Sequence, residues 1–253
     1  MTDKATSDKV SYQARVFAVL EAALEVSESS RPASELTERL GLPLSTTSRL
    51  VNFLVAQGML SIRGTGGYGP GPRMFRLAMR TLDQLHESEQ LDRVTRDLSK
   101  LTGESVSIGL IVSDKIVLVS RCEPDASLRA VARVGDLIQP HTSAMGKAIL
   151  AACTDDHQRR MVEAAEGDVP ATVLDELTGE LAEVRRAGYA VDEETYSPGL
   201  RCRAAAILGP GGRPAGGISI AGPAARYSRE LADAGVDELK ARAAELSSIV
   251  EAH

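Results

Sequence analysis

Between Gly41 and Gly58 the chain reads GLPLSTTSRLVNFLVAQG, and few local structures accommodate that order of residue types. Leu44, Leu50, Val51, Leu54 and Val55 recur at the spacing of one buried helical stripe. Ser45, Thr46, Ser48, Arg49 and Asn52 fall largely away from it. Pro43 suits the first helical position, where a missing N–H costs nothing, and Gly58 suits a left-handed residue just past the helix end. Upstream, Ser34 fits the N-cap of a second short helix over 35–40, which Gly41 separates from the first. Two short helices joined at a glycine, one with a polar outer face, make a helix-turn-helix pattern. The same pattern also occurs in all-α domains that bind no nucleic acid.

The residues just after the motif favour nucleic acid. Residues 59–63 are a short apolar run ending in Arg63, and Gly64, Thr65, Gly66 and Gly67 lead from it to Tyr68 and the sequence GPGP. This predicts two short strands around a glycine-rich tip, a wing. Glycines there allow close approach of backbone N–H groups to phosphates. The predicted DNA-binding residues are Ser34, Ser45, Thr46, Thr47, Ser48, Arg49, Asn52 and, on the wing, Arg63.

The chain has 253 residues, 43% of them hydrophobic, enough for two packed domains. There is no eighteen-residue apolar run and no apolar region near the N-terminus, which predicts a cytoplasmic protein. Cys122, Cys153 and Cys202 are odd in number and widely spaced, so thiols are expected and neither a disulfide framework nor a paired-cysteine zinc site is indicated. No cofactor motif is present: the GPGG at 209–212 lacks the Lys-Ser/Thr of a phosphate loop and reads as a hairpin turn. The net charge of −6 is uneven, because residues 1–80 carry +3 and the remainder −9. A less acidic N-terminal end is consistent with local DNA contact.

Beyond residue 70 the period of the pattern changes. Helices are predicted over 74–85 and 91–101, then strands over 106–112, 116–119 and 128–134, the first two joined by Ser113, Asp114 and Lys115. Helices come next over 144–152, 155–165 and 174–187, then strands over 189–191, 204–208 and 218–220, and a closing helix over 230–249. Such an order predicts an α+β domain around an antiparallel sheet. The expected domains are a winged helix-turn-helix over 11–71, a linker helix over 72–90 and a larger domain over 91–253.

Three further segments, PHTSAMGKA at 140–148, GYAVDEETYSPGLRCRAAAI at 188–207 and GISIAGP at 217–223 with Arg226 after it, complete a resemblance to the IclR family of bacterial transcriptional regulators. The resemblance spans nearly the whole chain. It implies a GAF-like effector-binding domain at the C-terminal end, a homodimer or homotetramer, a double-stranded operator, and a small organic acid or aromatic metabolite as effector. It also implies a pocket built from backbone N–H groups at Ala144 and Met145, with Asp192, Cys202 and Ser219; apolar residues such as Ala130 and Ile138 are expected to wall it and supply burial. Some relatives have a second serine where Ala221 stands here.

Without the family these residues read differently. Asp192, followed by Glu193 and Glu194, reads as a solvated acidic patch, Cys202 as a buried small hydrophobe, Ser219 as an ordinary strand residue, and His141 and Lys147 as structural. The rival functions are a thiol hydrolase on Cys202, His141 and Asp192, a metal sensor using Asp192, Cys202 and a histidine, and a protein-interaction adaptor. The reading adopted is a ligand-responsive regulator that is not an enzyme.

Overall fold

The computed structural model describes residues 11–25, 32–64, 66–84, 88–124, 132–166 and 172–251. The chain divides into two compact units, Met1–His86 and Glu87–His253. No helix among the described residues is long and apolar enough to cross a membrane.

The first unit holds α1 (Tyr12–Leu24), α2 (Ala33–Leu40), α3 (Leu44–Ala56), the antiparallel pair β1 (Leu60–Ile62) and β2 (Tyr68–Pro70), and α4 (Pro72–Gln84). The sequence pattern did not predict α1. Its start is capped by the Ser11 hydroxyl, which accepts from the Ala14 N–H at 3.2 Å. Val19, Leu20, Ala22 and Ala23 then join Leu36, Leu50, Val51, Leu54 and Leu60 in one core.

Both helix starts in the motif differ from expectation. α2 begins at Ala33, and its cap is Pro32, whose carbonyl accepts from the Glu35 and Leu36 amides at 3.1 and 3.3 Å. Ser34 is therefore an exposed first-turn residue and not the cap. Pro43 is likewise the cap of α3 with ψ 141°, one residue before the helix, and its carbonyl takes the Thr46 and Thr47 amides at 2.9 and 3.0 Å. The buried stripe also shifts. Thr47, three and four residues before Leu50 and Val51, is 0% exposed, whereas Leu44 stands in the open first turn at 55%. The C-terminal end is as predicted: Gly58 has φ +70°, its N–H reaches the Val55 carbonyl and that of Met59 the Leu54 carbonyl, both at 2.9 Å. These two bonds are a Schellman motif.

The second unit runs α5 (Ser88–Thr102), β3 (Ser105–Val112), β4 (Lys115–Cys122), β5 (Leu137–Ile138), α6 (Ala144–Ala152), α7 (Asp155–Glu166), α8 (Thr172–Ala187), β6 (Ala190–Glu193), β7 (Leu200–Leu208), β8 (Pro214–Pro223), α9 (Arg229–Ala234) and α10 (Val236–Glu251). Its six strands pair antiparallel in the order β5-β4-β3-β8-β7-β6. The β3–β4 hairpin turns on Ser113 and Asp114 at φ 50° and 63°, a two-residue turn of the hand that suits twisted strands. The GPGG segment becomes a single 3₁₀ turn between β7 and β8.

Alternation along the central strands assigns each helix to a face. Val106, Ile108, Ile218, Ile220, Ala205 and Ile207 meet Leu91, Val94 and Leu98 of α5 and Leu239, Ala243 and Leu246 of α10. Ile116, Leu118 and Ala204 meet Met145, Ala148 and Ile149 of α6, with Met161, Val162, Leu181 and Val184 outside them. Two expectations fail. No strand occupies the described part of 128–134; Gly135, at φ +97°, instead turns the chain so that its N–H bonds Leu118 O at 2.7 Å and Leu118 N bonds Asp136 O at 2.9 Å, and β5 comes directly after. The closing helix is two, divided at Gly235.

Gly146 marks the tightest approach of α6, since an added Cβ would overlap the backbone oxygens of Gln139 and Pro140. Gly146→Ala should thus destabilise the fold by about 1–3 kcal/mol through overpacking. That outweighs the gain of roughly 0.5–1 kcal/mol expected for Ala over Gly in a free helix. Urea denaturation of the variant measures the sign, and a stabilised variant would refute the close contact.

Candidate functional site

In the first unit α3 presents Ser45, Arg49 and Asn52 outward, one turn apart on one face, with Thr46 and Ser48 half-buried beside them. Thr47, predicted for the same face, points into the core, and its Oγ1 bonds the Pro43 carbonyl at 3.4 Å. The Arg49 guanidinium lies 5.8 Å from the centroid of the Tyr12 ring, a cation–π contact across α1 and α3 that the motif gave no means of finding. Arg63 is exposed just past β1, where its guanidinium lies across Gly69 in the space that a Cβ would take. Its N–H bonds the Gly67 carbonyl at 2.8 Å and closes the hairpin.

The second unit contains a cavity of about 520 Å³ between the sheet, the start of α6 and the segment that joins β6 to β7. Ile138, Ala144, Met145, Asp192, Cys202 and Ser219 all line it, and Ala221 lies in the same wall. Ala130 falls outside the described residues. The cavity also gains Ser107 and Arg121 from β3 and β4, which lie in no sequence motif, and Tyr196, Ser197 and Pro198 from the β6–β7 segment, which lie in the 188–207 motif but were not expected in the pocket.

Strand register explains the convergence. Asp192 pairs with Cys202 and Cys202 with Ala221, while Ser219 pairs with Ala204 on one side and Ser107 on the other, so two rows two residues apart share one face. Ser143 caps α6: its hydroxyl accepts from the Gly146 N–H at 3.0 Å and donates to the Gln139 carbonyl at 2.6 Å. Helical geometry then leaves the first N–H groups, those of Ala144 and Met145, without an intrahelical acceptor at the cavity wall. Met145 descends close enough because Gly109 and Gly217 lie beneath it: a Cβ on either would come within 2.8 Å of its sulfur and 3.0 Å of its Cγ respectively.

Asp192 is not a solvated patch but 2% exposed. Its Oδ1 accepts from the Thr195 and Tyr196 amides, both at 3.1 Å, and so shapes the loop that closes the cavity. Its neighbour Glu193 faces the other way and meets Arg201 at 2.6 Å, Arg203 at 2.7 Å and Arg229 at 3.0 Å. Arg203, 3% exposed in its side chain, also holds Asp233 at 2.9 Å. Burial pulls the Glu193 carboxyl upward, but the three guanidinium hydrogen bonds outweigh it and hold the group below the usual carboxylate range. Cys202 behaves oppositely. Burial and then the Asp192 carboxylate push its thiol up to about 12, against a hydrogen bond from Ser219, so it is neutral near pH 7. Lys147 is 7% exposed and paired with Glu180 at 2.8 Å, as a structural residue would be. Among the described residues no three His, Cys, Asp or Glu side chains are grouped as metal ligands would be.

Residues 79–248 match the family described as bacterial transcriptional regulator IclR C-terminal, and residues 14–62 match the IclR helix-turn-helix domain. The chain belongs to the IclR family. It is 32% identical over 219 residues to the HTH-type transcriptional regulator BhcR of Paracoccus denitrificans, covering 85% of this chain and 78% of that one. It is 29% identical over 251 residues to the HTH-type transcriptional regulator KdgR of Escherichia coli, covering 97% and 95%. Its fold is shared with the Thermotoga maritima IclR, with a TM-score of 0.70 at 24% identity over 93% of this chain and 97% of that one. An IclR homologue of Microbacterium hydrocarbonoxydans complexed with 4-hydroxybenzoate gives a TM-score of 0.73 at 22% identity over 94% and 100%. The protein is a DNA-binding transcriptional regulator with a C-terminal effector-binding domain.

The environments of Cys202 and Glu193 each set a pH dependence. The folded state keeps the Cys202 proton that the unfolded chain releases near pH 8.5, so this contribution to stability is full below that pH and declines as pH rises toward 12. Iodoacetamide should accordingly label Cys202 in the native protein at least about a hundredfold more slowly than in urea, as read by peptide mass spectrometry at pH 8. Equal rates would show a thiolate. Glu193 contributes stability that is present above the ordinary glutamate range near pH 4.3 and lost as pH falls through its lower folded value. Glu193→Gln should therefore flatten the acid limb of the unfolding curve, and an unchanged limb would assign acid sensitivity elsewhere.

Proposed function

We propose that this cavity is the effector site and that the outer face of α3 with the wing reads the operator. The reading rests on one observation: Ile138, Ala144, Met145, Asp192, Cys202 and Ser219, far apart in sequence, line a single cavity. Its size and largely apolar walls suit a small organic acid or aromatic metabolite with a few fixed polar contacts. The α6 amides and helix dipole favour an anionic or carbonyl oxygen, and Asp192, Ser219 and Cys202 orient what remains. A neutral Cys202, with His141 not among the described lining residues, favours sensing over thiol hydrolysis.

On this reading residues 11–71 bind DNA, 72–90 link, and 91–253 bind the effector and contribute to assembly. The regulator works in the cytoplasm as a homodimer, or as a homotetramer formed from two such pairs. α4 supports the assembly: Phe75 and Met79, one turn apart on one side of the helix, are exposed at 65% and 49%, an apolar surface that a second copy would cover. A symmetric pair presents two reading heads to the half-sites of a palindromic operator.

In the reading head Arg49 is the decisive residue. Arg49→Ala should weaken binding to the DNA upstream of the protein's own gene by about 1–3 kcal/mol where Arg49 reads a base bidentately. A phosphate role would instead lower the salt slope by about one unit with little change in sequence preference. Fluorescence anisotropy across a salt series separates the two, and an unchanged affinity and slope would remove Arg49 from the surface.

A further inference from the structure

We propose that Tyr12 sets the specificity of operator reading by holding Arg49 over its ring, so that the guanidinium meets the groove already oriented. This rests on the reading of the outer face of α3 as the operator surface and gives Arg49 a positioning residue on another helix.

Tyr12 is the first residue of α1, and its backbone is fixed at the helix start. The Ser11 hydroxyl accepts from the Ala14 N–H at 3.2 Å and the Ser11 carbonyl from the Arg15 N–H at 3.1 Å. Val19, Leu20, Ala22 and Ala23 of α1 share one core with Leu50, Val51 and Leu54, the buried residues that follow Arg49 on α3. Both partners of the contact therefore stand on helices held by the same core. Tyr12 is 49% exposed, so its ring is not spent on that core, and the guanidinium carbon of Arg49 lies over it at 5.8 Å from the centroid. Tyr12 also precedes 14–62, the residues that match the family's helix-turn-helix domain, so membership of the family does not imply the contact.

What a tyrosine leaves free distinguishes it from an acidic partner. A carboxylate takes up the charge and the N–H groups, as Glu25 does with Arg39 on α2 and as Glu193 and Asp233 do with Arg203. An aromatic ring attracts the cation and neutralises nothing. Arg49 is exposed and has no ion pair among the described residues, so its donors remain available to guanine O6 and N7. Bidentate reading demands one plane and one reach, and a free arginine gives up rotamer freedom to adopt them. Held over Tyr12, Arg49 has given up part of that freedom before DNA arrives. The gain falls on the sequence that needs the bidentate geometry, because phosphate contacts are met from many rotamers. The ring therefore sharpens sequence preference and leaves general affinity almost unchanged.

Fluorescence anisotropy on the intact protein tests this across a salt series, with a duplex that the wild type selects from a randomised pool and a shuffled duplex of the same composition. Tyr12→Leu should weaken the selected duplex by about two- to fivefold, the size of one exposed cation–π contact, move the shuffled one by less than about 1.5-fold and keep the salt slope. Tyr12→Phe, which retains the ring, should restore binding to within about 1.5-fold of wild type. The double variant of Tyr12→Leu with Arg49→Ala should lose no more than Arg49→Ala alone, since the ring acts through the guanidinium. If Tyr12→Leu fails to fold, as read by its thermal unfolding, Tyr12→Gln takes its place under the same expectation. Wild-type affinity in Tyr12→Leu, equal losses in Tyr12→Phe and Tyr12→Leu, or additive losses in the double variant would overturn the assignment. Failure of the underlying reading looks different: no selected duplex, or an Arg49→Ala variant that binds it as wild type does, would sink Arg49 as a reader and Tyr12 with it. A loss in Arg49→Ala without one in Tyr12→Leu would sink only Tyr12.

Discussion

The two-residue alternation of β3 and β8, the central strands of the sheet, governs both what the larger unit can pack and what it can bind. Val106, Ile108, Ile218 and Ile220 fill one face, and α5 and α10 close over it as a continuous core. The intervening residues, Ser107, Gly109, Gly217, Ser219 and Ala221, are small or polar, and the face they form cannot be filled by α6 along its whole length. Where two glycines lie beneath it, Met145 comes down onto the sheet. Beside them, where serines and an alanine replace bulk, a cavity of about 520 Å³ remains. The site is thus a consequence of side-chain size on one face of two strands, bounded by a helix whose approach depends on Gly146 having no side chain.

The same alternation divides the charged segment around β6 and β7. Asp192 and Cys202 face the cavity, while Glu193 and Arg203, each one residue on, face away into an ion network with Arg201, Arg229 and Asp233. Burying Arg203 is tolerable because two carboxylates receive it, and Glu104 is received in the same way by two bonds from Arg226, at 2.8 and 2.7 Å. Network and cavity share strands β6 and β7, so the backbone that positions Asp192 is also the backbone held by Glu193. Arg201 adds a bond to the Tyr227 carbonyl and ties the same strand to the segment before α9.

In the smaller unit the chemistry is carried by what faces outward. α3 is held by its stripe against α1 and α2 and stopped by the Schellman bonds at Gly58, which sends the chain directly into β1 and the wing. Arg49 is steadied by Tyr12 from a helix twelve residues into the chain, and Arg63 by the hairpin that holds it across Gly69. Polar groups presented from one rigid helix and one short hairpin suit a surface that must match the fixed spacing of a groove.

Much of this was legible in one dimension because it depends on local rules. Helical periodicity located α3, α6, α7 and α8, the left-handed glycine at 58 was foreseeable from its place after an apolar stripe, and the family motifs named five residues that line one cavity, with Ile138 expected beside them as an apolar wall. What the sequence left undecided concerns neighbours distant in the chain. Asp192 is enclosed because the β6–β7 segment folds back onto its carboxylate, although three consecutive acids read alone as a solvated surface. Arg121 lies in a strand with no motif at all and reaches the cavity only through the register that sets it beside Ser107. Periodicity and capping are properties of adjacent residues and so belong to the sequence; enclosure, register and charge pairing are relations between strands, and only the assembled sheet determines them.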